Sequence, residues 1–256
     1  MSQEPCPSPI AYGDVAPFYD KLMRSVPHAM WISRIEAELR SRGRYPRAVL
    51  DVACGTGIGT MIVHNRGYHP VVGVDISGGM IRLAQRKAEA ANAPIVFLEQ
   101  DAAQLDLGDA RFDWALSLFD SLNYVLEPDR LRAAFRSIAR HLVPGGIFTF
   151  DMNSDHALRT HMFTQDDNDD GLRHEWTAHW DEHTSLCRVE MDFWVAESGG
   201  ERHFHETHWQ RGYRRDEVLA MLQEAGFIRS AVYGNYGTRT PNARSDRWLF
   251  VTEVPQ

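Results

Sequence analysis

The sequence predicts an α/β fold, a doubly wound and mostly parallel sheet, and three observations carry that expectation. Short apolar segments alternate with amphipathic helical ones through residues 46–153, the order that puts helices on both faces of a parallel sheet. The first apolar segment, Val49-Leu50-Asp51-Val52, runs into a glycine loop, Ala53-Cys54-Gly55-Thr56-Gly57. A loop of that kind brings bare backbone up to a nucleoside at the carboxyl edge of the sheet. After residue 153 the alternation stops and a period of two takes over, which predicts a small antiparallel β insertion.

The elements follow in order. Residues 1–9, with Pro5, Pro7 and Pro9 alternating, read as a disordered polar tail. Residues 12–40 read as helical, because Trp31, Ile35 and Leu39 fall at i, i+4 and i+8. Gly43 and Pro46 close that region. Strands are expected at residues 48–52, 71–75, 95–98, 112–119 and 147–151. Helices are expected from residue 59, from Met80 to Ala91, and from Pro128 to the turn Pro144-Gly145-Gly146. Residues 154–171 read as a loop, and the acidic run Asp166-Asp167-Asn168-Asp169-Asp170 as a solvated part of it. Residues 172–197 and 202–211 read as three antiparallel strands with a hairpin turn at Ser198-Gly199-Gly200. A helix at 216–225 and a strand pair at 227–233 and 247–254 complete the chain.

Composition narrows the class. The 256 residues are 43% apolar, enough for a full core, and carry a net charge of −8. That charge argues against a broad nucleic-acid footprint. Cys6, Cys54 and Cys187 are scattered and odd in number, so a reducing, cytoplasmic setting is expected. The polar segment Met1 to Ile10 does not resemble a signal peptide, and no apolar run approaches the ~20 residues of a membrane span.

The loop chemistry points to a particular cofactor. A dinucleotide pyrophosphate needs Gly-x-Gly-x-x-Gly without nearby negative charge. Here the spacing is Gly55-x-Gly57-x-Gly59, position 60 is Thr60, and Asp51 stands just before the loop. A carboxylate there suits a cofactor carrying positive charge, such as the amino group and sulfonium of S-adenosyl-L-methionine (SAM).

These residues resemble the class I SAM-dependent methyltransferases, bacterial small-molecule type. The first motif stands as Leu50-Asp51-Val52-Ala53-Cys54-Gly55-Thr56-Gly57. The second is Val72-Gly73-Val74-Asp75-Ile76-Ser77, followed by Met80. The third is Gln100-Asp101-Ala102. The last is Leu142-Val143-Pro144-Gly145-Gly146, followed by Phe148-Thr149-Phe150-Asp151. Each alone is weak; the four in order, at one βα spacing, are specific. They cover residues 46–153, and the likeness is weaker at the ends. Phe119-Asp120-Ser121-Leu122-Asn123-Tyr124 and the lid-like pair Tyr19-Asp20 look like the small-molecule subgroup.

The resemblance implies a Rossmann-like sheet of seven strands with an antiparallel C-terminal strand. It divides the chain into a tail and helical lid (1–45), a SAM-binding core (46–153), an antiparallel cap (154–212) and a completion of the core (213–256). It also implies roles. Gly55 and Gly57 let the backbone approach the methionine part, with Ala53 alongside. Asp51 offsets the amino group and Asp75 accepts the ribose hydroxyls. Ile76 and Met80 sandwich the adenine, while Asp101 and Ala102 receive its amino group. Leu118 and Phe119 leave strand four beside the cofactor, and Tyr12 and Tyr19 close over its methionine end.

The expected reaction is in-line methyl transfer to nitrogen or oxygen of a small-molecule acceptor. A hydroxyl acceptor needs a base, and Asp120, His205 and His208 are the candidates. Arg211 and Tyr213 are expected to frame the acceptor, because an Arg fork orients a polar group. Blander readings compete: Asp101 as a helix N-cap, Asp120 as a turn residue, Arg211 as a surface ion pair, Cys54 as an inert thiol. His203 and His205 share a strand face, but no helical metal-binding His spacing occurs, and no metal is expected. A nucleic-acid substrate is disfavoured, because the segment after strand four has no Asp/Asn-Pro-Pro-aromatic loop. A SAM-binding regulator without turnover is the other alternative.

Overall fold

The computed structural model describes residues 12–160, 163–169, 171–197 and 199–256. The expected disordered tail lies outside the described residues, as do Ser198 of the hairpin turn and Asp170 of the acidic run. In chain order the helices are α1 (Tyr19–Leu22), α2 (His28–Ser41), α3 (Ile58–Asn65), α4 (Gly78–Ala90), α5 (Pro128–Arg140), α6 (Asp155–Arg159) and α7 (Arg215–Glu224). The strands of the core are β1 (Val49–Val52), β2 (Val71–Asp75), β3 (Val96–Glu99), β4 (Phe112–Ser117) and β5 (Leu142–Asn153). The insertion contributes β6 (Gln165–Asp169), β7 (Leu172–Asp181), β8 (Leu186–Glu197) and β9 (Gly200–Arg211), and the chain ends in β10 (Ile228–Gly234) and β11 (Arg247–Glu253).

Seven strands form one sheet in the order β10-β11-β5-β4-β1-β2-β3. β11 runs antiparallel to β5 and β10, and the other neighbours are parallel. The winding reverses between β1 and β4, so a crevice opens at their carboxyl ends, where such sheets bind ligands. The register places Asp51 between Gly73 of β2 and Leu116 of β4, at the mouth of that crevice. Alternate residues of each buried strand serve opposite layers. Leu50, Val52, Phe148, Phe150 and Phe250 pack with α5 and α7 through Leu131, Phe135, Val218 and Leu222. Val49, Trp114, Leu249 and Val251 pack with α2 and α3 through Ile32, Ile35, Leu39 and Val63.

The insertion is a four-stranded antiparallel sheet, β6-β7-β8-β9. Its inner face, with Val189, Met191, Phe193 and Phe204, packs on Val15, Phe18 and Leu22 of the N-terminal segment. That segment is a strap between the two sheets.

Three expectations change. The helical region at 12–40 is broken: short 3₁₀ turns at Ala16–Phe18 and Met23–Ser25 flank α1, and Pro27 separates them from α2, since proline removes a helical donor. Pro144-Gly145-Gly146 lies inside β5 as an irregularity of register rather than before it. A Cβ at Gly146 would meet the Val143 carbonyl at 2.8 Å. Residues Asp166 to Asp169 of the acidic run lie in the edge strand β6, which among the described residues pairs with β7 alone, so the insertion has four strands instead of three. Charge on an edge strand blocks further pairing, which reconciles a solvated composition with a strand. Among the described residues no helix is long and apolar enough to cross a membrane.

Candidate active site

A cleft opens at the carboxyl ends of β1, β2 and β4. Asp51, Ala53 and Gly55 line it from the first loop, Asp75, Ile76 and Met80 from β2 and α4, and Leu118 and Phe119 from the end of β4. Tyr12 and Tyr19 of the strap close its other side. Asp20 accepts a hydrogen bond from Thr56 of the glycine loop and pairs with Lys87 of α4 at 2.6 Å, so the strap is tied across the cleft. Gly55 has φ +55°, and a Cβ there would point toward Tyr19, 3.9 Å away. Gly57 serves a different purpose. A Cβ on it would meet the Phe97 ring at 2.8 Å and Ala84 at 3.2 Å, so its bare backbone seats the loop on the core, and it does not line the cleft.

Two carboxyl groups face this cleft. Asp75 accepts the Gly55 and Ser77 N–H groups, each at 2.8 Å. Burial raises its pKa, against those two bonds. Asp51 accepts from the Thr60 hydroxyl at 2.6 Å. Burial pushes its carboxyl up to about 7, with the Thr60 bond opposing and the Asp75 charge adding. No cation of the protein pairs with either side chain among the described residues, so both suit a ligand that brings positive charge.

The turn after β4 is held in a rare conformation. Phe119 and Asp120 both have positive φ, +62° and +48°, which costs of order 1–3 kcal/mol each without support. Asp151 of β5 provides support: its carboxylate accepts the Phe119 N–H at 2.7 Å and the Asp120 N–H at 3.1 Å. Tyr236 and Arg247 donate to the same group. Arg247 also pairs with Asp120 at 2.8 Å and lies 5.3 Å over the Phe119 and Trp31 rings. The other Asp120 oxygen accepts from Gln210 of β9 at 2.7 Å. Burial raises the Asp120 pKa, and Arg247 opposes that rise.

Behind this turn lies a second, smaller chamber under the insertion sheet. Phe163, Trp176, Met191 and Phe193 form its roof, and Asp120 is on its wall. Tyr12, Tyr19, Phe119 and Tyr124 line both chambers. His208 of β9 stands at that shared wall, only 1% exposed in its side chain. Its Nε2 is 2.8 Å from Glu206, its Nδ1 is 3.2 Å from the Tyr124 hydroxyl, and that hydroxyl is 2.8 Å from Tyr12.

Comparison with known proteins agrees with this architecture. A family model described as "Methyltransferase domain" matches residues 49–146. A putative methyltransferase of Geobacillus sp. (strain WCH70) is 33% identical over 250 residues, 95% of this chain and 100% of that protein. The chain belongs to the class I SAM-dependent methyltransferases. The dTDP-3-amino-3,4,6-trideoxy-alpha-D-glucopyranose N,N-dimethyltransferase of Streptomyces venezuelae is 30% identical over 224 residues, 83% of this chain and 90% of that one. A SAM-dependent methyltransferase from Clostridium acetobutylicum ATCC 824 shares the fold with a TM-score of 0.84 at 24% identity, covering 94% of this chain and 98% of that one.

SAM is the cofactor of this methyltransferase, and the larger cleft fits it: an open glycine at Gly55, two carboxyl groups without protein cations, and an Ile76 side chain left 37% exposed at the rim. Several sequence expectations do not reach either chamber. Asp101 caps the turn Ala102–Gln104 through the Ala103 N–H at 2.9 Å and pairs with Arg130 at 2.6 Å, so neither it nor Ala102 lines the cleft. His205 is on the outer face of the insertion sheet, bonded to Glu190 and Asp192. Arg211 shares that outward register and reaches the Leu126 carbonyl at 3.4 Å, while Tyr213 is buried in the core. The physical reason is the strand's parity. Phe204, His208 and Gln210 are the buried positions of β9, and the odd-numbered ones face away. Gln210, Arg247 and Tyr236 were not legible as site residues. Phe204 was the available signal for parity, being the one large apolar side chain in the polar half of the strand.

Proposed function

We propose that this methyltransferase acts on a nitrogen atom of a compact small molecule held in the inner chamber. One observation carries the reading: two chambers adjoin at Tyr12, Tyr19, Phe119 and Tyr124, which line both. SAM supplies an electrophilic methyl group on a sulfonium, and transfer to a neighbour needs the two held in line and in contact. A mostly enclosed chamber under a β sheet suits a small acceptor rather than a polymer strand. Its aromatic and methionine walls dehydrate the acceptor, and Asp120 offers the polar anchor. The buried Trp176 indole N–H has no partner among the described residues and offers a donor to an oxygen of the same molecule. The amino-sugar relative supports nitrogen as the methylated atom.

On this reading Asp75 holds the ribose hydroxyls, Asp51 faces the positive end of the cofactor, and Ile76 and Met80 flank the base. The Asp151–Arg247 cluster fixes Phe119 and Asp120, and so the shape of both chambers. The test is methyl transfer from SAM carrying a deuterated methyl group to a panel of small amines and alcohols, with total RNA alongside. Mass spectrometry should find the label on amine nitrogen. Label on RNA, or on hydroxyl oxygen alone, overturns the reading.

A further inference from the structure

The hydrogen bonds behind the shared wall have a direction that the chemistry of one residue fixes. Glu206 sits among donors. Burial by itself would raise its pKa, but the His208 bond and the Val15 N–H at 2.9 Å outweigh that and hold the carboxyl below its usual value. A carboxylate only accepts. His208 Nε2, 2.8 Å away, therefore carries the proton and donates. In the neutral ring Nδ1 is then a bare lone pair, so the Tyr124 hydroxyl at 3.2 Å must donate to it. The Tyr124 oxygen is left to accept from Tyr12 at 2.8 Å. Tyr12 thus spends its only hydrogen inward, and its oxygen has lone pairs but no donor left for either chamber. Burial raises the pKa of both tyrosines, so neither is a resting phenolate.

From this polarity, and resting on the nitrogen-acceptor reading above, we infer that Tyr12, Tyr124, His208 and Glu206 form a one-way proton relay that receives the acceptor as an ammonium ion and strips it to the free amine. The ammonium donates to the Tyr12 oxygen. As that N–H bond breaks, the Tyr12 proton moves to Tyr124, the Tyr124 proton moves to His208 Nδ1, and the imidazolium formed is neutralised by Glu206. The nitrogen keeps its electron pair for the methyl carbon. His208 is faced by Glu206 from β9, Tyr12 from the strap and Tyr124 from the turn after β4. Asp120, paired with Arg247, lies beyond Gln210. Glu206 is a positioning residue with two grips. One oxygen orients the imidazole and the other holds the strap at Val15, so the relay is assembled only when the strap is closed.

Two measurements test this. In protein with ¹⁵N-labelled histidine, NMR should show His208 as the Nε2-protonated tautomer with bare Nδ1, a state needing no substrate to observe. An Nδ1-protonated neutral ring overturns the relay. With whichever amine of the panel is methylated, His208→Asn should lose about 100-fold in rate well below that amine's own pKa. The loss should shrink toward wild type as pH rises past that pKa, because the amine then arrives neutral. Tyr12→Phe should behave alike. A purely structural role would depress the rate by the same factor at every pH, and that result overturns the relay while leaving the nitrogen acceptor intact. Methylation of no amine overturns the acceptor reading instead, and the tautomer alone then decides the polarity.

Discussion

Asp51 is where one side chain most directly reports the cofactor's charge. In the ligand-free protein burial pushes its carboxyl up to about 7, so a cation beside it favours losing the proton. SAM affinity should be level above pH 7 and fall by up to about tenfold per unit below it. Calorimetry in buffers of different ionisation enthalpy should also find a proton released near pH 6.5. Affinity that is flat from pH 5 to 8 contradicts this. For folding the sign is opposite. A raised carboxyl pKa stabilises the ligand-free fold at low pH, and that contribution fades as pH climbs through about 7. At Asp75 the expected effect is larger and less dependent on pH. Asp75→Ala removes the group that orders the Gly55 loop as well as the proposed ribose contacts, and should weaken SAM by on the order of 2–4 kcal/mol. Unchanged affinity in that variant would remove the assignment. That both side chains line the cleft was legible in the sequence, because a strand end fixes where a side chain points. That Asp101 does not line the cleft was not legible, for the converse reason. A loop residue can satisfy itself locally, and Asp101 does so through Ala103 and Arg130.

At the scale of elements, the turn after β4 and the strap decide the site. Phe119 and Asp120 keep their positive φ because Asp151 grips both N–H groups and Arg247 neutralises the carboxylates. Arg247→Ala leaves two buried acids beside each other, and a loss of about 3–5 kcal/mol in denaturant unfolding is expected. A loss under 1 kcal/mol would mean the cluster carries little. Removing residues 1–20 should leave a folded protein, since the core sheet owes that segment no strand. It should turn over poorly, since Tyr12, Tyr19 and the Asp20 ties to Thr56 and Lys87 go with it. Normal turnover in the truncated enzyme sinks the role given to the strap. The seven core strands were readable because buried parallel strands and amphipathic helices have strong periods. The face that β9 turns inward was not. Alternation splits a strand into two sets and does not say which one is inside. The neighbour that decides it, Phe193 opposite Phe204, is distant in the motif and close only in the sheet.

Across the whole molecule, a winding reversal between β1 and β4 makes the cofactor cleft, and the insertion sheet roofs a second chamber against it. The core carries the family's motifs. The roof and the strap line the second chamber, and their residues are governed by packing, which leaves few marks in a single sequence. The central claim is that a methyl group passes from the cofactor cleft to a small molecule in the adjoining chamber. It is tested most directly by incubating the protein with methyl-labelled SAM and a fractionated metabolite extract plus total RNA, and following the label by size and mass. Label in a single low-molecular-weight product, lost in Asp75→Ala, is the predicted result. Label confined to RNA or protein, or no S-adenosylhomocysteine released with any fraction, would contradict it.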